Sequence, residues 1–328
     1  MTTALVTGAG GFLGRALTDE LHRAGYRVRA LVHAPPSAGF SASVEVMTGD
    51  IRDSSCTLMA AKGCETVIHL AGKAHAFDDR GVSEEDYQSI NVEGTQRVLA
   101  GAREGGARRF VFASSVKVFG ETTGTCVNEE APAAPATPYA RSKWAAEQAV
   151  SSYGSSSGMT TVSLRLPMVY GPTQKGNLFR MIAAIDAGRF PPLPPLKTVR
   201  SMLHVKNFVR GILAVLRAPA VPRSMYVMTD GRPYSTAEVY DLLRKGLGMR
   251  PARWRIPLPC LTAAARAGDL LQSFLHRPLP VSSANLNKII GQAWYSPQNM
   301  ITDLGYRPDH TFESAVPEIV RFYRHSSA

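Results

Sequence analysis

Short runs rich in Val, Ile and Leu recur at residues 4–6, 28–32, 44–47, 66–70, 110–113, 161–166 and 226–228, separated by stretches of helical length. Each run is apolar on both faces, which predicts strands of a parallel sheet covered on either side, and the alternation predicts a doubly wound α/β fold. Ser83 precedes Glu84, Glu85 and Asp86, so its hydroxyl should cap a helix running to about Glu104, where Gly105 and Gly106 stop it. Another helix should begin after Pro138, carry YARSKWAAEQAV and end at Gly154, leaving SSYGSSSG as a surface turn.

From RLPMVYGP onward the texture changes, with prolines crowding RFPPLPPLKTVR and RWRIPLPC and strand runs becoming sparse. This divides the chain into a large unit over 1–169, rejoined by 204–232, and a smaller region over 170–328. A chain of 328 residues, 45% apolar, can bury a full core. The opening MTTALVTG carries no basic stretch and reads as a first strand, so the cytoplasm is the expected compartment. The apolar stretch Ile256 to Ala265 falls short of the roughly 20 residues a bilayer span needs. Four cysteines without CxxC spacing or histidine-rich company disfavour a zinc site and a disulfide framework, and no metal is expected.

Lysine plus arginine exceed aspartate plus glutamate by 37 to 26, a net +11 that suits anionic partners. The basic residues are scattered and no nucleic-acid-reading motif accompanies them, so nucleic acid is not an expected partner. The basic, apolar segment 252–280 reads as an amphipathic helix packed on its own domain. Its alternative is a weak peripheral membrane contact, with Leu261, Ala265, Leu270, Leu271 and Phe274 on one face and arginines nearby.

Directly after the first strand comes Thr7-Gly8-Ala9-Gly10-Gly11-Phe12-Leu13-Gly14 and then an amphipathic helix. Glycines at 8, 11 and 14 allow a tight turn, close approach to a pyrophosphate and close helix packing, while the helix N-terminus offers free N–H groups. Placed between strand and helix, this turn predicts a bound dinucleotide. The second strand ends in Val32-His33-Ala34 with no acid until Glu45. A carboxylate that would bind an NAD ribose and repel a 2′-phosphate is missing, which favours NADP, with His33 or Arg29 near that phosphate. The alternative is NAD held by weaker ribose contacts. In GDIRD, Asp50 and Ile51 suit the adenine end, or Asp53 simply caps a helix.

Tyr139 and Lys143 in YARSK lie four apart, so on a helix they share a face. A lysine cation stabilises a neighbouring phenolate, pulling its pKa down from near 10 and giving a general acid/base for a carbinol oxygen. A hydroxyl from Ser115, at the end of the fifth strand, can hold that oxygen, because open α/β sheets place ligands at the carboxyl ends of their strands.

In chain order TGAGGFLG, GDIRD, HLAGKAH, NVEGT, FVFASSVKVFG, YARSK, LRLPMVYGP and RSMLHV resemble the extended short-chain dehydrogenase/reductases, in particular the nucleotide-sugar epimerase, dehydratase and reductase group. The resemblance covers nearly the whole chain and implies a Rossmann-type NAD(P)-binding unit with a smaller substrate-binding region. It implies Ser115, Tyr139 and Lys143 as catalytic residues, Lys143 also holding a ribose. Cofactor contacts it implies are Gly8, Gly11, Phe12, Leu13, Gly14, His33, Asp50, Ile51, Leu70, Ala71, Gly72, Asn91 and Pro167, besides Tyr139 and Lys143. On the substrate side it implies Lys73, His75, Ser115 and Lys117, with Asn177 and Arg200 at the diphosphate of a UDP-linked sugar, where an arginine fork donates to two oxygens at once. Helices near 84–104 and 138–153 resemble those that pair into a four-helix homodimer interface.

Departures narrow the reaction. Phe119 replaces the group's usual Tyr, Lys117 a frequent small hydroxyl residue, and SSANLNKIIGQAWYS lacks the late arginine of many 4-epimerases. Val116-Lys117 stand where a 4,6-dehydratase needs an acid pair. The expected activity is 4-keto reduction of a UDP-4-keto-6-deoxy-(N-acetyl)hexose in bacterial polysaccharide synthesis. Alternatives are a UDP-hexose or UDP-N-acetylhexosamine 4-epimerase and, with less support, a non-catalytic NAD(P)-sensing protein.

Overall fold

A computed structural model describes residues 2–35, 39–73, 83–121, 124–174, 176–275, 279 and 282–327. The first half runs β1 (Thr3–Thr7), α1 (Phe12–Arg23), β2 (Arg27–Val32), β3 (Glu45–Thr48), α2 (Ser54–Ala61), β4 (Thr66–His69), α3 (Glu84–Tyr87), α4 (Gly94–Glu104), β5 (Arg109–Ser115) and α5 (Pro138–Ser157). It continues with β6 (Thr160–Leu166), β7 (Met168–Tyr170), α6 (Asn177–Asp186), β8 (Met202–His204), α7 (Val205–Arg217) and β9 (Met225–Val227). Five helices follow: α8 (Thr236–Gly246), α9 (Leu258–Leu275), α10 (Ser283–Ile290), α11 (Gln298–Leu304) and α12 (Phe312–Ser327).

Seven strands form a wholly parallel sheet in the order β3-β2-β1-β4-β5-β6-β9, a Rossmann-type doubly wound fold. Its apolar strands bury both faces. Leu17 and Leu21 of α1 and Phe208 and Ile212 of α7 cover one side, and Val98 and Leu99 of α4 with Ala146 and Val150 of α5 cover the other. A separate core beneath α6, α8 and α12 is built from Ile182, Tyr240, Leu243, Phe312 and Ile319. β7 and β8 pair as a small parallel sheet at its edge. Asp230 ties this corner together: its carboxylate accepts from the His204 N–H (2.8 Å), Asn207 Nδ2 (2.7 Å) and the Tyr170 hydroxyl (2.8 Å).

Two helices differ from the pattern-based expectation. Ser83 caps α3 through a capping box and Gly105 caps α4, but the helix between them is interrupted by a π-helical segment, Gln88–Glu93. Helix α5 runs through Gly154 to Ser157, and Gly158, at φ +71°, ends it in the left-handed region. Gly154 is a packing residue instead of a stop: a Cβ there would stand 2.2 Å from Thr161 Oγ1 on β6.

Candidate active site

The sheet order reverses between β1 and β4, opening a crevice at their carboxyl ends. Gly8, at φ +67°, lies so close to β4's end that a Cβ would meet the Ala71 nitrogen at 2.7 Å, and a Cβ on Gly14 would meet the Gly8 carbonyl oxygen at 2.4 Å. Gly11 caps α1 without any side-chain acceptor, so the N–H groups of its first turn remain for a ligand oxygen. This cradle fits a dinucleotide pyrophosphate. A cleft of about 1280 Å³ is lined by Gly8, Gly11, Phe12, His33, Leu70, Ala71 and Gly72. Leu13 turns its side chain toward the core, Gly14 is buried under the turn, and Pro167 is partly buried between β6 and β7.

At the adenosine end His33 is largely exposed, its Nδ1 3.9 Å from Asp50 Oδ2. Asp50 is gripped by Arg52 at 2.6 to 3.1 Å, which holds its carboxyl down at about 2. Ile51 packs against Gly94, where a Cβ would come within 2.8 Å of it, and Asp53 also caps α2. Arg29 is engaged elsewhere. Its guanidinium donates to the Ala60 and Lys62 carbonyls, both at 2.8 Å, and pairs with Glu45, so it caps the end of α2.

A directed chain of hydrogen bonds runs beneath the crevice. The Ala71 N–H donates to Thr7 Oγ1 (3.2 Å), which lies 2.6 Å from His69 Nδ1; His69 Nε2 lies 3.0 Å from Thr95 Oγ1, which donates to the Asn91 carbonyl (2.6 Å). Thr95 spends its proton on that carbonyl, so Nε2 must be the protonated nitrogen and Nδ1 accepts from Thr7. Burial holds this imidazole neutral, down to about 3. The chain ends on the π segment, which turns Asn91 inward. There Oδ1 accepts the Lys73 N–H (2.7 Å), and Nδ2 donates to the Lys73 carbonyl (3.1 Å) and Ser142 Oγ (3.0 Å).

Successive side chains of a strand point to opposite faces, and β5 uses this on its last two residues. Ser115 bonds the Tyr139 hydroxyl and accepts the Lys117 N–H at 3.2 Å. Ser114 turns to the other side and donates a short hydrogen bond to Glu147, a side-chain partner on the next helix. Glu147 is also bound by Arg165 (Nη2, 2.8 Å; Nε, 3.1 Å), both side chains under 5% exposed. The Arg165 guanidinium stacks 4.3 Å from the Phe119 ring centroid and 5.5 Å from that of Trp144.

Lys143, one turn before Glu147, is buried, with Nζ 4.3 Å above the Phe112 ring and 3.9 Å from the position a Gly72 Cβ would take. Burial brings it down to about 8, and the Glu147 charge opposes that fall. Tyr139 rests edge-on against Tyr87 at 5.9 Å. Burial raises its phenol, offset in part by the Ser115 hydrogen bond. The expected pull of Lys143 on that phenol is therefore not the governing effect; desolvation of the ring is. Gly72 joins the two halves of the site, lining the cleft on one side and leaving on the other the space in which a Cβ would meet Asn91 Oδ1 at 2.9 Å and Lys143 Nζ at 3.9 Å.

On the substrate side Lys117 is exposed just past Ser115, Lys73 lies 3.7 Å from Asp86, and His75 falls outside the described residues. Asn177 is the exposed first residue of α6. Arg200, partly buried, pairs its backbone with Tyr234 and donates from Nη1 to the Gly291 carbonyl at 3.3 Å. No cluster of three metal-ligating side chains occurs among the described residues. Glu147, Arg165 and His69 were not anticipated, although each is a polar residue in an otherwise apolar stretch, and Glu147 follows Lys143 at helical spacing.

Residues 4–228 match the NAD dependent epimerase/dehydratase family. The chain is 30% identical to a UDP-glucose 4-epimerase of Vibrio cholerae over 260 residues, 78% of either chain. It is likewise 30% identical to a ceramide reductase of Caulobacter vibrioides over 297 residues, 88% of this chain and 84% of that one. The crystal structure of a UDP-glucuronic acid 4-epimerase from Bacillus cereus in complex with NAD has the same fold over the full length of both chains, with a TM-score of 0.78 at 20% identity. The chain thus belongs to the NAD-dependent epimerase/dehydratase family and is an NAD(P)-dependent enzyme of the extended short-chain dehydrogenase/reductase type.

Proposed function

We propose that the protein is a nucleotide-sugar oxidoreductase, and within that class a 4-ketoreductase of a UDP-4-keto-6-deoxy-(N-acetyl)hexose in bacterial polysaccharide synthesis. The observation that carries this reading is the Ser115–Tyr139 hydrogen bond at the carboxyl end of β5, with the ammonium of Lys143 buried one turn along α5. A bound nicotinamide supplies the hydride. Ser115 holds the sugar oxygen, Tyr139 gives it a proton, and the charge on Lys143 supports the phenolate left behind. The high phenol pKa keeps Tyr139 protonated at rest, as a reductase needs of its acid. Val116 and Lys117, which follow Ser115, offer no acid pair for a dehydratase.

NADP is the cofactor this reading favours. The exposed His33 follows β2 where a carboxylate would bind an NAD ribose, and Asp50, 3.9 Å from it, is committed to Arg52. Asn177 and Arg200 are assigned to the diphosphate, and a homodimer through α3, α4 and α5 belongs to the same reading. A 4-epimerase is the second reading, favoured by the name of the Vibrio cholerae relative. NADPH oxidation should require a 4-keto nucleotide sugar and leave the protein free of cofactor. NAD carried through purification, with UDP-GlcNAc and UDP-GalNAc interconverting without net redox change, would overturn the ketoreductase in favour of the epimerase.

A further inference from the structure

Helix α9 inverts the usual order of a surface helix, which turns its polar side to water. At about 100° per residue, Leu261, Ala265, Gly268 and Gln272 form the side that meets the protein, and Ala265 is fully buried there. The five apolar residues that the sequence groups on one face are therefore split, with Leu261 and Ala265 inward and Leu270, Leu271 and Phe274 outward. The outward arc holds no charged residue. It presents Cys260, Ala263, Ala267, Leu270, Leu271 and Phe274, with Leu270 66% and Phe274 81% exposed. Trp254, ahead of the helix, is 65% exposed.

The charge next to this face along the chain is basic. Arg266 borders the arc on the helix itself, and Arg250 and Arg253 are exposed in the segment that leads into it, whereas Asp269, the one acid on the helix, accepts the Ser283 N–H of α10 at 3.0 Å. A second copy seated on the face about a two-fold axis would bring these like-charged rims together, which is unfavourable. No helix among the described residues is long and apolar enough to cross a membrane. A charge-free apolar arc, an exposed tryptophan just ahead of it and arginines beside and before it are the pattern of a helix lying in the interface of an anionic bilayer.

We propose that α9 is a membrane-docking element, seating Leu270, Leu271 and Phe274 among the lipid chains with Arg250, Arg253 and Arg266 against lipid phosphates. The docking is independent of the reaction assigned to the site. Vesicles of phosphatidylcholine containing about one third phosphatidylglycerol should pellet the full-length protein at low salt at least about fivefold better than phosphatidylcholine alone, and about 0.5 M salt should erase that preference. Leu270→Ser with Phe274→Ser should lower the bound fraction about tenfold or more with the thermal transition unchanged. Arg253→Glu with Arg266→Glu should remove the preference for anionic lipid.

An environment-sensitive dye on Cys260, in a Cys126→Ser background that leaves only the buried Cys56 and Cys64 as other thiols, should shift to the blue when those vesicles are added. Natively folded protein that pellets with neither vesicle overturns the proposal. So does vesicle binding that the serine pair leaves untouched, or binding with no dye response. If the serine pair lowers the mass in sedimentation and changes nothing with lipid, the face belongs to a second copy instead.

Discussion

Lys143 is held at about 8 by two opposed effects, burial pulling it down and the Glu147 charge holding it up. It gives up its proton as pH rises through that value, so kcat/KM should fall on an alkaline limb near 8. Glu147→Gln removes the charge that holds the ammonium up, and the limb should move to lower pH; a limb that stays in place would mean another group titrates. For stability the sign is opposite. Between about 8 and 10.5 the unfolded chain holds a proton that folded Lys143 has released, so its contribution improves as pH rises through that window. Glu147→Gln also strands Arg165 as a buried cation and should cost about 3–5 kcal/mol in denaturant unfolding, most of it regained when Arg165→Met is added. Tyr139→Phe should lower kcat about 10²- to 10⁴-fold while cofactor binding survives in calorimetry. That Ser115 ends β5 and that Tyr139 and Lys143 share a face of α5 was legible because strand ends and helical spacing are local patterns. Glu147, Arg165 and His69 acquire their roles from partners on other elements, and Arg29 was misplaced because a strand position does not reveal where a long side chain ends.

Among the elements, α5 does two jobs, carrying Tyr139 and Lys143 at its start and lying flat on β6 further along. A glycine inside an exposed helix usually weakens it by about 1 kcal/mol relative to alanine. Gly154→Ala should do the reverse and destabilise by about 1–3 kcal/mol, because the added carbon meets Thr161 Oγ1. Denaturant midpoints would check this, and a stabilised variant would mean that the helix lifts from the strand without penalty. The strand runs and helix caps of the first half were readable because each rests on local pattern. The π segment was not, since it follows from the need to aim Asn91 at the Lys73 backbone. In the last third the helices are fixed by packing between distant segments, as where Tyr234 donates to Glu313 at 2.6 Å across 79 positions.

For the molecule as a whole, buried titratable groups set an acid limit. His69 and His204 stay neutral down to about 3 and about 4, whereas their unfolded counterparts take up protons near 6.5. Asp230 works the other way: raised to about 6 by burial, it binds a proton in the folded state before the unfolded chain does. Between about pH 6 and 5 the unfolded chain therefore holds two extra protons against one, and stability should fall by at least about 1.4 kcal/mol per pH unit of acidification. In His69→Gln that slope should disappear, whatever the absolute stability; unfolding curves at several pH values would show it.

β5 hands one hydroxyl to the crevice and the next to a buried ion pair, so the two serines are told apart only by which residue comes first. A substitution at either changes one side chain and leaves the facing of the rest of the strand as it was. An insertion or deletion of a single residue within the strand would exchange the two hydroxyls along with every other side chain facing either layer. The length of β5 is therefore as much a part of the site as the two serines that end it.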